Sequence, residues 1–269
     1  MAQRVAVLGT GKIGEALVSG LLRAGKPASE VLVTARRPER AAALKASYGV
    51  DAVSNAEAAH KADTLILMVK PQDMAALLEE LTPHVPAGRL VISGAAGITT
   101  HFIASRLAEG VPVVRVMTNT PALVDQAMTV ISAGPYATDE HLALTEEIFQ
   151  PLGKTLRVPE NQQDAVTALS GSGPAYFYLL VEAMIDAGIL LGLPRQVAHD
   201  LIVQTAIGSA IMLRDSGEHP VKLREAVTSP AGTTISAIRE LENHGVRAAL
   251  LAALEAARDR ARELAAQNA

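Results

Sequence analysis

Four apolar residues, Val5-Ala6-Val7-Leu8, run directly into Gly9-Thr10-Gly11-Lys12-Ile13-Gly14. This G-x-G-x-x-G spacing constrains the chain more than any other feature, because it prescribes a strand, a tight turn and a helix in that order. Gly9 permits the turn, Gly11 lets backbone approach a pyrophosphate, and Gly14 lets the helix from Glu15 to Arg23 pack close to the strand. That helix aims free N–H groups and the positive end of its dipole at the anion. A Gly-rich turn without a ligand would carry the same letters. The strand before it and the helix after it favour dinucleotide binding.

The end of the second strand selects among dinucleotides. Glu30-Val31-Leu32-Val33-Thr34 reads as that strand and continues into Ala35-Arg36-Arg37-Pro38. An NAD site usually places Asp or Glu about twenty residues past the fingerprint, gripping the ribose 2′-hydroxyl. No acid stands here. Two guanidinium groups suit a 2′-phosphate instead, through forked, charge-assisted hydrogen bonds. NADPH is the expected coenzyme, with NADH a weaker alternative. The competing reading makes Arg36 and Arg37 solvated residues opening a helix over Pro38–Tyr48; the missing acid still argues against strict NAD use.

Downstream, β-branched runs at Val50–Val53, Thr64–Val69, Leu90–Ser93, Val113–Met117, Ala127–Ser132 and Lys154–Val158 alternate with helical patterns. Helices are predicted over Asn55–His60, Asp73–Leu81, Thr99–Glu109 and Asp139–Phe149. This alternation is the signature of βαβ units around a parallel sheet, and the short connections near its end predict an edge of mixed direction. Beyond residue 160 the strand signals stop. Pro174–Leu191, Pro194–Asp215, Val221–Thr228, Thr234–Asn243 and Val246–Gln267 all read as helices, with Gly192, Gly217 and Gly245 placed as C-terminal caps. The fold class is α/β: a Rossmann-type doubly wound sheet over residues 1–160, then an all-α domain over 161–269.

Composition removes several function classes. With 269 residues, 49% of them hydrophobic, the chain is long enough for two domains with real cores. A net charge of −4 gives no reason to expect nucleic-acid binding. Cysteine is absent, which excludes disulfides, thiolate metal sites and a Cys nucleophile. Met1-Ala2-Gln3-Arg4 leads straight into the first strand, leaving no room for a signal peptide. The most apolar helical stretch, Tyr176 to Leu191, is interrupted by Glu182 and Asp186. A cytoplasmic protein with no membrane span is expected.

Other clusters fall where chemistry could use them. Ligands of open α/β sheets lie beyond the carboxyl ends of the strands, where Asn55 and Lys70-Pro71 are placed. Ser93-Gly94-Ala95-Ala96-Gly97 could seat a nicotinamide ring against backbone, or be a simple tight turn. Asn119, between Thr118 and Thr120, could orient amide groups or cap a loop. Ser170-Gly171-Ser172-Gly173-Pro174 allows close backbone approach ahead of a helix that Ser172 can cap. Ser229-Pro230-Ala231-Gly232-Thr233-Thr234, feeding a helix N-terminus, is a ready nest for a small carboxylate, against the alternative of a plain capping loop. No H-E-x-x-H, no G-x-S-x-G and no acid or histidine cluster at metal spacing occurs, so no metal site is expected. Nor does a lysine occur between Val166 and Leu193, against the β-hydroxyacid dehydrogenases of related architecture.

Read together and in order, these motifs resemble pyrroline-5-carboxylate reductase over essentially the whole chain. The resemblance rests on the fingerprint, Val69-Lys70-Pro71, Arg115 to Pro121, Ala168 to Tyr176 and Val227 to Thr234. Thr118 stands where that family usually has Pro, and Ala231 where it usually has Gly. The resemblance implies that Gly9, Thr10, Gly11, Lys12, Ile13, Gly14, Thr34, Arg36, Arg37, Asn55, Val69, Lys70, Pro71, Ala95 and Ala96 contact NADPH. It implies that Glu160, Ser229, Ala231, Gly232, Thr233 and Thr234 bind the substrate, with Thr234 the catalytic candidate. The implied reaction takes hydride to the imine carbon of 1-pyrroline-5-carboxylate and yields L-proline. A protonated imine is already electrophilic, so placement and exclusion of water suffice. A homodimer through the helical domain, with rings of dimers such as decamers, is also implied. The rivals are an imine or ketone reductase acting on another small acid, and a NADP-sensing protein without activity.

Overall fold

Strands covered on both faces read as unbroken apolar runs, and this chain supplies them in succession. The computed structural model describes residues 3–267. Its strands are β1 (Val5–Leu8), β2 (Val31–Thr34), β3 (Asp51–Ala52), β4 (Thr64–Leu67), β5 (Leu90–Ser93), β6 (Val113–Met117), β7 (Ala127–Ala133) and β8 (Gly153–Arg157). They form one sheet in the order β3-β2-β1-β4-β5-β6-β7-β8. The first six are mutually parallel, β7 opposes β6, and β8 runs parallel to β7. The sheet is thus α/β and doubly wound with the mixed edge that the short connections predict.

Helices α1 (Lys12–Arg23), α2 (Pro38–Tyr48), α3 (Asn55–Lys61), α4 (Met74–Leu81), α5 (Thr100–Ala104), α6 (Asp139–Phe149) and α7 (Gln163–Val166) accompany the strands. The period of two along each strand sorts the core into two layers. Val5, Val7, Val31, Val33 and Ile66 pack with Leu17 of α1, Leu44 of α2 and Phe149 of α6. Ala6, Leu8, Leu32, Leu65 and Leu67 pack with Ala58 of α3, Leu78 of α4 and Phe102 of α5. One structural difference from the sequence reading lies at α5, which stops at Ala104 rather than Glu109. There the Arg106 carbonyl accepts from Thr82 Oγ1 at 2.6 Å, and Gly110 and Pro112 follow before β6.

A π-helical turn at Thr167–Gly171 follows α7, closed by the Ser172 N–H donating to the Thr167 carbonyl at 2.8 Å. Ser172, expected to cap the next helix with its side chain, gives its backbone N–H to this turn. Beyond it come α8 (Gly173–Leu190), α9 (Arg195–Asp215), α10 (Pro220–Ala226), α11 (Thr233–Asn243) and α12 (Val246–Gln267). The chain divides into two units: Met1–Ser172 together with Ala256–Ala269, and Gly173–Glu255. Residues 161–172, which the sequence reading gives to the helical half, therefore cluster with the sheet, as does the end of α12. Within the second unit α8 and α9 touch closely where Gly188 meets Ala198; a Cβ on Gly188 would stand 2.8 Å from that of Ala198.

Candidate functional site

The strand order reverses direction of growth between β1 and β4, and a doubly wound sheet leaves a crevice there. An open groove of about 880 Å³ occupies this position in the first unit. Gly9 turns the chain out of β1 at φ +96°, and a Cβ on it would stand 2.8 Å from the Met68 carbonyl group, so glycine is required. Gly14 is required by packing: its Cβ would lie 2.3 Å from the Gly9 carbonyl oxygen. Gly11 differs from both. A Cβ there would meet no protein atom within 4 Å, so packing does not explain the glycine. It lines the groove and caps α1 with no side chain of its own, leaving first-turn N–H groups open to an anion.

Of the sequence-predicted coenzyme residues, Gly9, Thr10, Gly11, Thr34, Arg36, Arg37, Asn55, Val69 and Lys70 line this groove. Lys12, Ile13, Gly14, Pro71, Ala95 and Ala96 do not. Lys12 points to solvent, Ile13 packs against the core, and Ala95 is buried in the opposite layer. Several groove residues escaped the sequence reading, notably Arg40, Asp73 and Glu80. Arg40 sits in the first turn of α2, where a cation opposes the helix dipole, and that misfit was the available signal. Its guanidinium donates to the Thr10 carbonyl at 3.0 Å and pairs with Glu15 at 2.5 Å, tying α2 to the fingerprint loop. That hydrogen bond holds the Glu15 carboxyl below the usual carboxylate range, against the opposing effect of burial. Tyr48 donates to the other Glu15 oxygen at 3.2 Å; burial, then the Glu15 charge, push its phenol up.

Four cationic side chains, Arg36, Arg37, Arg40 and Lys70, line the groove against Asp73 and Glu80. Arg36 pairs with Asp73 at 2.8 Å, and Asn55 donates to Glu80 at 2.8 Å. An anion-accepting helix end, an open glycine and a guanidinium pair beyond β2 fit a dinucleotide carrying an extra phosphate.

The second cluster belongs to the second unit. Gly232 caps α11 without a side-chain cap, and its N–H donates to the Ser229 carbonyl at 3.1 Å. Ala231 takes φ +55°, a left-handed conformation in which its Cβ is strained. Ser229 and Thr233 are exposed, and Thr234 is half-buried. Glu160 belongs to the first unit, where its carboxylate accepts from the Thr100 N–H at 2.7 Å, from Thr100 Oγ1 at 2.5 Å and from Arg115 at 3.4 Å. Asn119 is likewise committed internally, donating to the Ser170 carbonyl at 3.2 Å and accepting from the Met128 N–H.

Comparison with known proteins starts the second family model at residue 160, where the sequence reading ends the sheet domain. Residues 160–264 match the family model for pyrroline-5-carboxylate reductase dimerisation, and residues 4–97 match that for NADP oxidoreductase, coenzyme F420-dependent. The chain is 44% identical to a pyrroline-5-carboxylate reductase of Corynebacterium melassecola, covering 97% of this chain and 98% of the relative. It is 43% identical to that of Mycobacterium tuberculosis, covering 97% and 96%. Among solved structures, a pyrroline-5-carboxylate reductase from Coxiella burnetii superposes with TM-score 0.92 at 36% identity, covering 98% and 99%. The Plasmodium falciparum pyrroline carboxylate reductase with NADP bound superposes with TM-score 0.88 at 26% identity, covering 98% of each chain.

Proposed function

The chain belongs to the pyrroline-5-carboxylate reductase family and reduces 1-pyrroline-5-carboxylate to L-proline with NADPH; from that premise, we propose how its residues divide the work. NADPH, when bound, supplies the hydride that the imine carbon receives. The α1 N-terminus and Gly11 hold the pyrophosphate, and Arg36 with Arg37 holds the 2′-phosphate. The observation that carries this assignment is the N-terminus of α1 opening onto the groove at Gly11, with no side chain over its first-turn N–H groups. Arg40 keeps the Thr10 carbonyl fixed, and with it the loop that the pyrophosphate must meet.

The substrate carboxylate goes to the 229–234 turn, where backbone N–H groups and the hydroxyls of Ser229 and Thr233 are available. Thr234 hydrogen-bonds the ring nitrogen, delivering or orienting a proton there. Glu160 braces Thr100 and Arg115 through its carboxylate, and its remaining lone pairs stay free for the substrate contact the resemblance implies.

The chain carries a dimerisation domain. We take the functional form to be a homodimer through residues 173–255, assembling into a ring of dimers, in the cytoplasm. The helical run from Glu160 to Leu190, mean hydropathy 1.3, is long and apolar enough by length and composition to cross a bilayer. Glu182 and Asp186 within it are costly in hydrocarbon. A subunit interface accounts for the same apolar surface.

The test is oxidation of NADPH dependent on added pyrroline-5-carboxylate, with the product identified as L-proline. Thr234→Ala is expected to lower kcat on the order of 10²-fold while leaving NADPH affinity unchanged. Unaltered turnover at saturating substrate would remove Thr234 from the chemistry.

A further inference from the structure

We propose that Asp73 sets the coenzyme preference of this enzyme, by competing with the 2′-phosphate for Arg36 and by offering its own carboxylate to a 2′-hydroxyl. The proposal rests on the reading of Arg36 as the phosphate ligand. Both residues line the coenzyme groove, and Arg36 Nη2 stands 2.8 Å from Asp73 Oδ1. The two partners are unequally free. Arg36 has a long side chain that is 76% exposed, whereas that of Asp73 is short and 26% exposed. Asp73 is also fixed by its backbone, since its N–H donates to the Lys70 carbonyl at 2.9 Å in the turn that closes β4. The guanidinium can leave; the carboxylate stays.

This arrangement supplies what the end of β2 lacks. A carboxylate that accepts from the ribose 2′-hydroxyl usually follows the second strand. Here it arrives from the turn after β4, at the same groove, beside the arginine that occupies the usual place. With a 2′-phosphate present, Arg36 is drawn between two anions, so the ion pair weakens as the phosphate contact forms. With a 2′-hydroxyl, Asp73 gains a donor at no such loss. Arg40 cannot relieve the competition, because it is committed to the Thr10 carbonyl and Glu15. Asn55 repeats the pattern with Glu80 at 2.8 Å, a second donor in the groove held by a carboxylate of α4.

Dissociation constants for NADPH and NADH, measured by coenzyme fluorescence on the full-length protein at one ionic strength, test this. Asp73→Asn is expected to tighten NADPH about threefold through loss of the exposed ion pair, and to weaken NADH about fivefold through loss of a charged acceptor. Asp73→Ser should move both in the same directions. In an Arg36→Ala background the NADPH gain from Asp73→Asn should vanish. Equal shifts for the two coenzymes, no shift in either variant, or an undiminished gain without Arg36 would each overturn the proposal. Arg36→Ala alone isolates the underlying reading: if it weakens both coenzymes equally, Arg36 does not hold the 2′-phosphate.

Discussion

Residues 3–172 and residues 173–255 spend their apolar side chains in opposite ways. The first stretch buries them in two layers, one on each face of the sheet. In the second, Ala198 is the one residue that is buried, while Leu179 and Leu190 stand 65% and 88% exposed. A helical unit that hides one alanine has almost none of the hydrophobic stabilisation that offsets chain entropy. Its stability belongs to an assembly, and its sequence is written for a core that one chain does not contain. The sheet unit is finished by its own chain; the helical unit is half of something.

The largest expected effect breaks this contrast most directly. Leu179→Glu on α8 should dissociate the oligomer, at roughly 4–8 kcal/mol per dimer, because two-fold symmetry buries the unpaired carboxylate twice. Leu156→Glu on β8, also exposed at 52%, should leave both oligomer and stability nearly unchanged. Sedimentation and urea unfolding of the two variants decide it, and identical behaviour would erase the distinction between the units. Within the sheet unit, Gly9→Ala should cost about 2–4 kcal/mol through overpacking and a disfavoured φ. Gly11→Ala should leave the urea midpoint within error of the parent and raise the NADPH dissociation constant instead. In the helical unit, Ala231→Gly should stabilise the 229–234 turn by about 1 kcal/mol, read as a higher unfolding midpoint.

The smallest effect concerns acid. The Glu15 carboxyl is held down by Arg40 when folded, so its contribution is fully present above the ordinary carboxylate range and fades as pH falls through the lowered value. Glu15→Gln should therefore flatten the loss of stability on acidification, by under about 1 kcal/mol given the partial exposure of the pair. A curve parallel to that of the parent down to the acid limit would show that the pair contributes nothing.

What could be read from the sequence follows the range of the forces involved. Strands β1, β2, β5 and β6 were legible because burial on both faces writes an unbroken apolar run. The fingerprint was legible because Gly9 answers to a local turn at φ +96° and Gly14 to the Gly9 carbonyl five residues back. The π-turn at Thr167–Gly171 left no mark, since shifting one hydrogen bond from Thr167 to Ser172 changes no composition. Neither did the pairing of Arg36 with Asp73, which the topology brings together from the ends of β2 and β4. Nor did the contacts of Glu160 with Thr100 and Arg115, which join residues 45 to 60 positions apart.

The sheet unit reclaims the far end of the chain, from Ala256 onward, with Ala261 buried and Leu264 close against Gly97. During translation, then, the half that emerges first is the half completed last. The sheet unit is thus closed by residues that lie beyond the whole of 173–255 in sequence, so losing them leaves a gap beside the loop that follows β5.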